Sequence, residues 1–295
     1  MLKRTLVFSN PMVLSLKNRQ LVFSYKDSPD EKNIVPIEDI GLVLLENQEI
    51  NITLPLLNAL AEKEVQVIVC NNKGMPNVMI HGMNSNNLKG KILREQIACG
   101  EVLKKQLLNQ VVEAKIKNQA ALLDSIGEDG KRLKPFYSNV RSGDDNNREG
   151  IAARIYFQYL FGHDFVRDRE KSGLNALLNY GYSILRAAMC RAIVSSGLQP
   201  AIGIHHHNRS NAYPLADDLM EPFRPFVDEI VHNLSLNGET ELTREVKASL
   251  INVLYSDTMY ENVKRPLSIG MSMTTASMVK CLSKEQKIII FPTLL

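Results

Sequence analysis

The sequence predicts an α+β protein: a small N-terminal β-rich domain (residues 1–82), a linker (83–91) and a larger all-helical C-terminal domain (92–295) that carries the functional site. Three observations predict this. Short β-branched and aromatic runs recur at spacings of roughly 8 to 12 residues through the first third, divided by Asn, Asp, Pro and Gly. The stretch from Gly82 to Leu88 is polar and rich in Asn. Beyond it, apolar residues recur at three- and four-residue intervals, the period of a helix with one buried face.

The elements follow in order. Runs at 5–9, 12–16, 21–25, 34–37, 42–45 and 50–53 read as strands. Residues 54–64 read as a helix, with Leu56, Leu57, Leu60 and Ala61 on one stripe. An apolar run at 65–70 reads as a buried strand, ended by the turn residues Asn71, Asn72, Lys73 and Gly74. In the second domain, 92–121 reads as one long helix whose basic residues lie opposite Ile97, Leu103, Leu107, Val111 and Ala114. Residues 127–146 read as a polar loop. Helices are expected at about 148–161, 174–195, 215–232, 241–254 and 267–282, and the apolar tail 288–295 is expected to be extended.

The length of 295 residues suffices for two domains and a substantial core. No apolar run is long enough to span a bilayer, so no membrane association is expected. The N-terminus, MLKRTLVFSN, reads as a strand rather than a signal peptide. The four cysteines are dispersed, without a CxxC pair, which suits buried thiols in a reducing cytoplasm. The net charge is +3, and the whole excess falls within 89–171, including Lys104-Lys105 and Lys131-Arg132. A segment of that kind can track a phosphate backbone, although a solvated helical surface has the same composition.

The chemistry concentrates in GIHHHNRSNAYPLADDLMEPFRP, residues 203–225. If this part is helical, Asp218, Glu221 and Arg224 share one face. A histidine from the preceding loop plus carboxylates on that face supplies mixed nitrogen and oxygen donors for a divalent cation. Taken alone, the histidines also suit a solvated turn, and Glu221 with Arg224 a plain surface pair. A third ligand is required from elsewhere. Glu149 opens the helix in NNREGIAARIYFQYLF, where Asn147 can cap it and an acid suits the helix dipole.

Four motifs in order, REGIAARIYF, LNALLNYGYSILR, PAIGIHHH and LADDLMEPFRP, resemble the CRISPR-associated spacer-acquisition integrase, the larger of the two universal adaptation proteins. The motifs cover about residues 147–232. The length and the GIHH form look closest to the type II version. The resemblance implies a metal-dependent DNA endonuclease and integrase holding Mg2+ or Mn2+ through Glu149, His206 and Glu221, with Asp218 facing the same ion. His205 and His207 are one-residue alternatives to His206. The resemblance also implies that Arg224 lies on the substrate phosphate. In the implied reaction the 3′-OH of a DNA fragment attacks the repeat backbone, with double-stranded and branched DNA as substrates. The family works as a homodimer, two of which are bridged by a dimer of a small ferredoxin-like companion into a heterohexamer, and the type II form implies the large RNA-guided nuclease as a further partner. Pro222 disfavours helical geometry at Glu221, so a kink or a new helix start is expected there.

Two rival classes fit parts of the sequence. One is a helical metal-dependent phosphohydrolase, for which His163-Asp164 is the only His-Asp dipeptide. The other is a non-catalytic DNA-binding module built on the basic helix.

Overall fold

The computed structural model describes residues 3–80, 82, 87–138, 140–205 and 211–294. The chain divides into two units, 1–87 and 88–295.

Among the described residues the first unit holds two four-stranded sheets and one α-helix. Its strands are β1 (Arg4–Phe8), β2 (Met12–Lys17), β3 (Gln20–Tyr25), β4 (Ser28–Pro36), β5 (Ile40–Leu45), β6 (Asn51–Ile52), β7 (Gln66–Cys70) and β8 (Pro76–Ile80), with α1 (Leu54–Glu62) between β6 and β7. One sheet has the order β1-β5-β7-β8, the other β4-β3-β2-β6. Every residue of β5, IGLVLL, is buried, as an inner strand covered on both faces requires. Phe8, Leu14, Leu21, Val43, Leu56, Leu60 and Val67 meet in one core.

Two strands exceed the reading of the sequence. β4 begins at Ser28, not Ile34, and its first residues, SPDEKN, are mostly exposed. They form an edge strand, where proline and charge are tolerated and block further pairing. β8 was not expected at all; Pro76 and Asn77 resemble a turn, and the strand is again an edge.

The second unit is helical: α2 (Lys89–Ile97), α3 (Glu101–Ser125), α4 (Lys134–Tyr137), α5 (Arg148–Phe161), α6 (Leu174–Ser195), α7 (Pro214–Met220), α8 (Arg224–Leu236), α9 (Arg244–Ile251) and α10 (Leu267–Leu282). Its described residues also include a hairpin, β9 (Asp257–Tyr260) with β10 (Val263–Pro266). Glu261 and Asn262 both have positive φ, the geometry of a two-residue hairpin turn. The fold class stands as read, with this hairpin added to the helical domain.

The expected helix at 92–121 is two helices, broken at Gly100, the residue before α3. The expected separation of faces also fails. Ile97 and Val102 are exposed, whereas Lys115 is buried beside Val111, Val112 and Ile116. The expected polar loop at 127–146 includes α4 and short 3-10 turns packed on α3.

α3 and α6 form the frame of this unit. α6 packs against α7, α8, α9 and α10, and α3 against α4, α5 and α8. Gly181 on α6 permits the close approach of α8, since a side chain there would overlap Val227. The C-terminal segment lies along α3: Gln110 donates to the Lys287 carbonyl and accepts from the Ile289 N–H. Thr293 pairs with Met259 of β9.

Candidate active site

Glu149 lies in the first turn of α5, and local geometry fixes it there. The cap is Asp144 rather than the expected Asn147: the Asp144 carboxylate accepts from the Arg148 N–H at 2.8 Å and the Glu149 N–H at 3.1 Å. Asn147 has a left-handed backbone (φ 49°), makes no side-chain cap bond and lies against Gly150, where a Cβ would collide with its amide.

Glu221 lies in the 3-10 turn Glu221–Phe223, between α7 and α8. The expected interruption at Pro222 is present, yet Glu221 keeps helical angles (φ −53°, ψ −46°). The break starts a new helix at Arg224 and leaves Glu221 only 6% exposed.

The two acids meet on one cation. Lys115 Nζ is 2.5 Å from Glu149 Oε1 and 2.6 Å from Glu221 Oε2. The second contact is ionic rather than a directed hydrogen bond. Burial alone would lower the Lys115 pKa, but the Glu149 and Glu221 carboxylates outweigh it and raise it above the usual lysine value. Arg224 Nη2 is 2.7 Å from Glu221 Oε1, and its guanidinium lies 4.9 Å from the centre of the Tyr182 ring. Its pKa is raised as well: burial lowers it, and Glu221 foremost lifts it.

Asp218 is held elsewhere. It is 1% exposed, and its Oδ2 accepts from the Ile204 N–H at 2.6 Å and the His205 N–H at 3.1 Å. Asp218 thereby anchors the loop that leads into the histidine run, and the structure does not bring it to Lys115 with the two glutamates. Gln96 of α2 fixes the same loop from the other side, donating to the Gln199 and Ile202 carbonyls and accepting from the Gln199 N–H. His205 is exposed, while His206 and His207 lie outside the described residues. Among the described residues no group of three His, Cys, Asp or Glu side chains could hold a metal. Asp217 pairs with Arg186, Nε to Oδ1 at 2.8 Å.

Beside the paired acids lies a cavity of about 560 Å³, whose lining includes Lys115, Arg154, Phe157, Arg167, Arg224 and Asp228. Asp228 is 1% exposed; its carboxylate accepts from the Tyr156 hydroxyl at 2.8 Å and closely from the Tyr182 hydroxyl. Burial pushes its pKa up to about 6 against those bonds and the nearby Arg224 and Lys115. Arg167 is tied to Asn175 and Asn179 and lies over the Tyr182 ring. Lys104, expected on a basic path, pairs with Glu101 at 2.9 Å. His163-Asp164 lies in an exposed turn after α5, with the His163 ring near Tyr159.

Sequence reasoning missed Lys115, Asp144, Gln96, Asn118 and Asp228. Lys115 carried a usable signal: it falls on the stripe of Leu108, Val111, Val112 and Leu122, and a lysine in a buried stripe needs a partner. Asn118 is likewise buried on α3 and donates to the Pro222 carbonyl at 2.7 Å and the Pro292 carbonyl at 3.0 Å.

Residues 5–258 match the family described as CRISPR associated protein Cas1. A relative named CRISPR-associated endonuclease Cas1, from Neisseria meningitidis serogroup C (strain 8013), is 41% identical over 256 residues, covering 85% of this chain and 83% of that protein. Among solved structures, a casposase bound to integration product superposes with a TM-score of 0.79 at 22% identity, covering 98% of this chain and 92% of that one. A Cas1 protein from Thermotoga maritima superposes equally well (TM-score 0.79) at 18% identity, covering 97% and 99%. At those identities the structures establish the shared fold. With the family match running through both units and so similar a relative, the chain belongs to the CRISPR-associated Cas1 family.

Proposed function

We propose that this protein is the spacer-acquisition integrase of its CRISPR system, of the type II form. The 3′-OH of a foreign DNA fragment attacks a phosphodiester of the repeat, forming a new P–O bond while the bond to the repeat strand's own 3′ oxygen breaks and that strand leaves with a free 3′-OH; with water in place of the fragment hydroxyl the same exchange is endonuclease cleavage. The observation that carries this reading is the convergence of Glu149 and Glu221 on a single cation position, beside a cavity whose lining includes Arg154, Arg167 and Arg224.

Glu149, His206 and Glu221 would hold Mg2+ or Mn2+. The fit rests on the two carboxylates, hard oxygen donors that already surround one positive charge, the Lys115 ammonium. When bound, the ion supplies Lewis-acid polarisation of the phosphate and lowers the pKa of the attacking hydroxyl.

The chain itself supplies the remaining parts. Arg224, held by Glu221 and the Tyr182 ring, offers a fixed guanidinium to the charge that builds on the scissile phosphate. Arg154 and Arg167 line the approach for the DNA backbone. Asp218 and Gln96 hold the segment that leads up to the histidine run, and Asn118 holds the turn that carries Glu221.

The partners in this reading are double-stranded and branched DNA, a second copy of the chain, and the small companion adaptation protein, which completes the heterohexamer. The large RNA-guided nuclease of the same system is a further partner. A solved Cas6-RT-Cas1–Cas2 complex shares the fold at a TM-score of 0.75 and 20% identity, covering 99% of this chain and 36% of that one, and supports the companion. No helix among the described residues is long and apolar enough to cross a membrane.

The test is strand transfer into a plasmid carrying the repeat, using fragments with 3′-OH or 3′-dideoxy ends. Joining is expected only with the 3′-OH and only with Mg2+ or Mn2+ present. Joining of dideoxy fragments, or joining in excess chelator, would overturn the reading.

A further inference from the structure

The reading above requires a cation between Glu149 and Glu221, and the protein has already placed one of its own there. Lys115 Nζ lies 2.5 and 2.6 Å from one oxygen of each acid. A divalent ion bound by those oxygens would lie about 2.0–2.6 Å from them, in the same space. The ammonium and the ion therefore exclude each other, by volume and by charge.

The backbone of Lys115 has nowhere to go. It lies inside α3, with Val111, Val112 and Ile116 buried around it. Only the side chain can move, and the open space beside it is the cavity of about 560 Å³ that it lines with Arg154, Arg167 and Arg224. Among the described residues Asp228 is the carboxylate in that lining, and both of its oxygens already accept tyrosine hydroxyls. An ammonium moved off its acids joins three guanidinium groups, an arrangement that needs an anion to offset it.

We infer that Lys115 is a built-in competitor for the metal position, and that it couples metal loading to DNA: its ammonium leaves the two glutamates as the ion enters and is received by a backbone phosphate in the adjoining cavity. The inference rests on the proposed metal site and adds a control to it. In the absence of DNA the two acids stay neutralised by Lys115 and Arg224, and the ion binds weakly. With a phosphate in the cavity, the same ion binds tightly, because the displaced ammonium then has a partner. Metal and DNA thus strengthen each other's binding by equal factors, as linkage demands.

The test is calorimetric titration of Mn2+ into wild type and Lys115→Met, with and without a blunt DNA duplex whose 3′ ends are dideoxy and cannot be joined. Without DNA, Lys115→Met is expected to bind Mn2+ about tenfold or more tightly than wild type, since one close like charge is gone. The duplex is expected to tighten Mn2+ binding to wild type by a similar factor and to leave the variant nearly unchanged. Equal affinities without DNA, or equal enhancement by DNA in both proteins, would overturn the inference. A wild type that binds no Mn2+ in a Glu149-dependent manner would overturn the metal reading as well, so the two failures are distinguishable.

Should Lys115→Met fail to fold, wild type provides a second readout. Acylation of Lys115 by a succinimidyl ester, read by mass spectrometry, is expected to rise with Mn2+ and to fall again when the duplex is added. Labelling indifferent to Mn2+ would overturn the inference.

Discussion

Glu149 and Glu221 hold two sides of one ammonium, at 2.5 and 2.6 Å from Lys115 Nζ, although one opens α5 and the other lies in the turn between α7 and α8. The two acids are not equivalent. The Glu149 side chain is 33% exposed and that of Glu221 only 8%, and Glu221 alone also carries Arg224. Their replacement is expected to have the same effect on chemistry and different effects on stability.

Glu149→Ala and Glu221→Ala should each abolish strand transfer. Glu149→Ala leaves Lys115 paired with Glu221, at a stability loss of about 1 kcal/mol after solvent screening. Glu221→Ala leaves Arg224 without its carboxylate and Lys115 with Glu149 alone, a loss of about 3–5 kcal/mol typical of a broken buried pair. Urea unfolding of both variants checks this; equal losses would show that the Glu221 contacts contribute nothing special.

Asp218→Asn separates a loop anchor from a metal ligand. Asp218 accepts from two backbone N–H groups through one oxygen, a task an amide oxygen can perform. The variant is expected to retain strand transfer within about tenfold, whereas loss of a first-rank ligand costs far more. Complete loss of activity with unchanged folding would make Asp218 a ligand in its own right.

Asn118→Ala cuts the tie between the C-terminal segment and the turn that carries Glu221. Asn118 donates to the Pro222 and Pro292 carbonyls and accepts from the Leu294 N–H. A loss of about 2–4 kcal/mol is expected from three hydrogen bonds at a buried site. Strand transfer should slow while DNA affinity, read by fluorescence anisotropy, stays the same. A matching fall in DNA affinity would assign the tail to DNA binding instead.

Asp228 makes stability depend on pH in a defined window. Its folded pKa is raised from 3.8 to about 6 by burial, so the native state holds the proton more firmly than the unfolded chain. The stability this contributes is fully present below about pH 4 and is lost as pH rises through about 6, an effect of about 3 kcal/mol. Asp228→Asn removes it. The stability difference between wild type and variant should therefore move against wild type between about pH 4 and 6.5, and a pH-independent difference would contradict the shift.

The sequence made the α+β organisation legible because its strands alternate and its helices keep their period. Both acids were legible too, through the motifs around Glu149 and Glu221. What stayed hidden depends on contacts that no local pattern encodes. Lys115 sits among the lysines of α3, of which Lys104 pairs with Glu101 and Lys117 with Glu113 at the surface. Only the distant arrival of Glu149 and Glu221 makes Lys115 the one that turns inward. Asp144 replaced Asn147 as the cap because both have positive φ, which brings the earlier carboxylate over the first helical N–H groups. The charged first half of β4 has the composition of a turn and is an edge strand instead.

The proposed integrase requires Glu149, Glu221 and His206 to form one divalent-ion site. The most direct measurement is the anomalous scattering of Mn2+ in crystals of wild type bound to a DNA duplex with dideoxy 3′ ends. One peak is expected within about 2.0–2.6 Å of a carboxylate oxygen of each glutamate, with the His206 ring as the third protein ligand and the Lys115 ammonium displaced. Lys115 still lying between the two acids at saturating Mn2+, with no peak there, would contradict it.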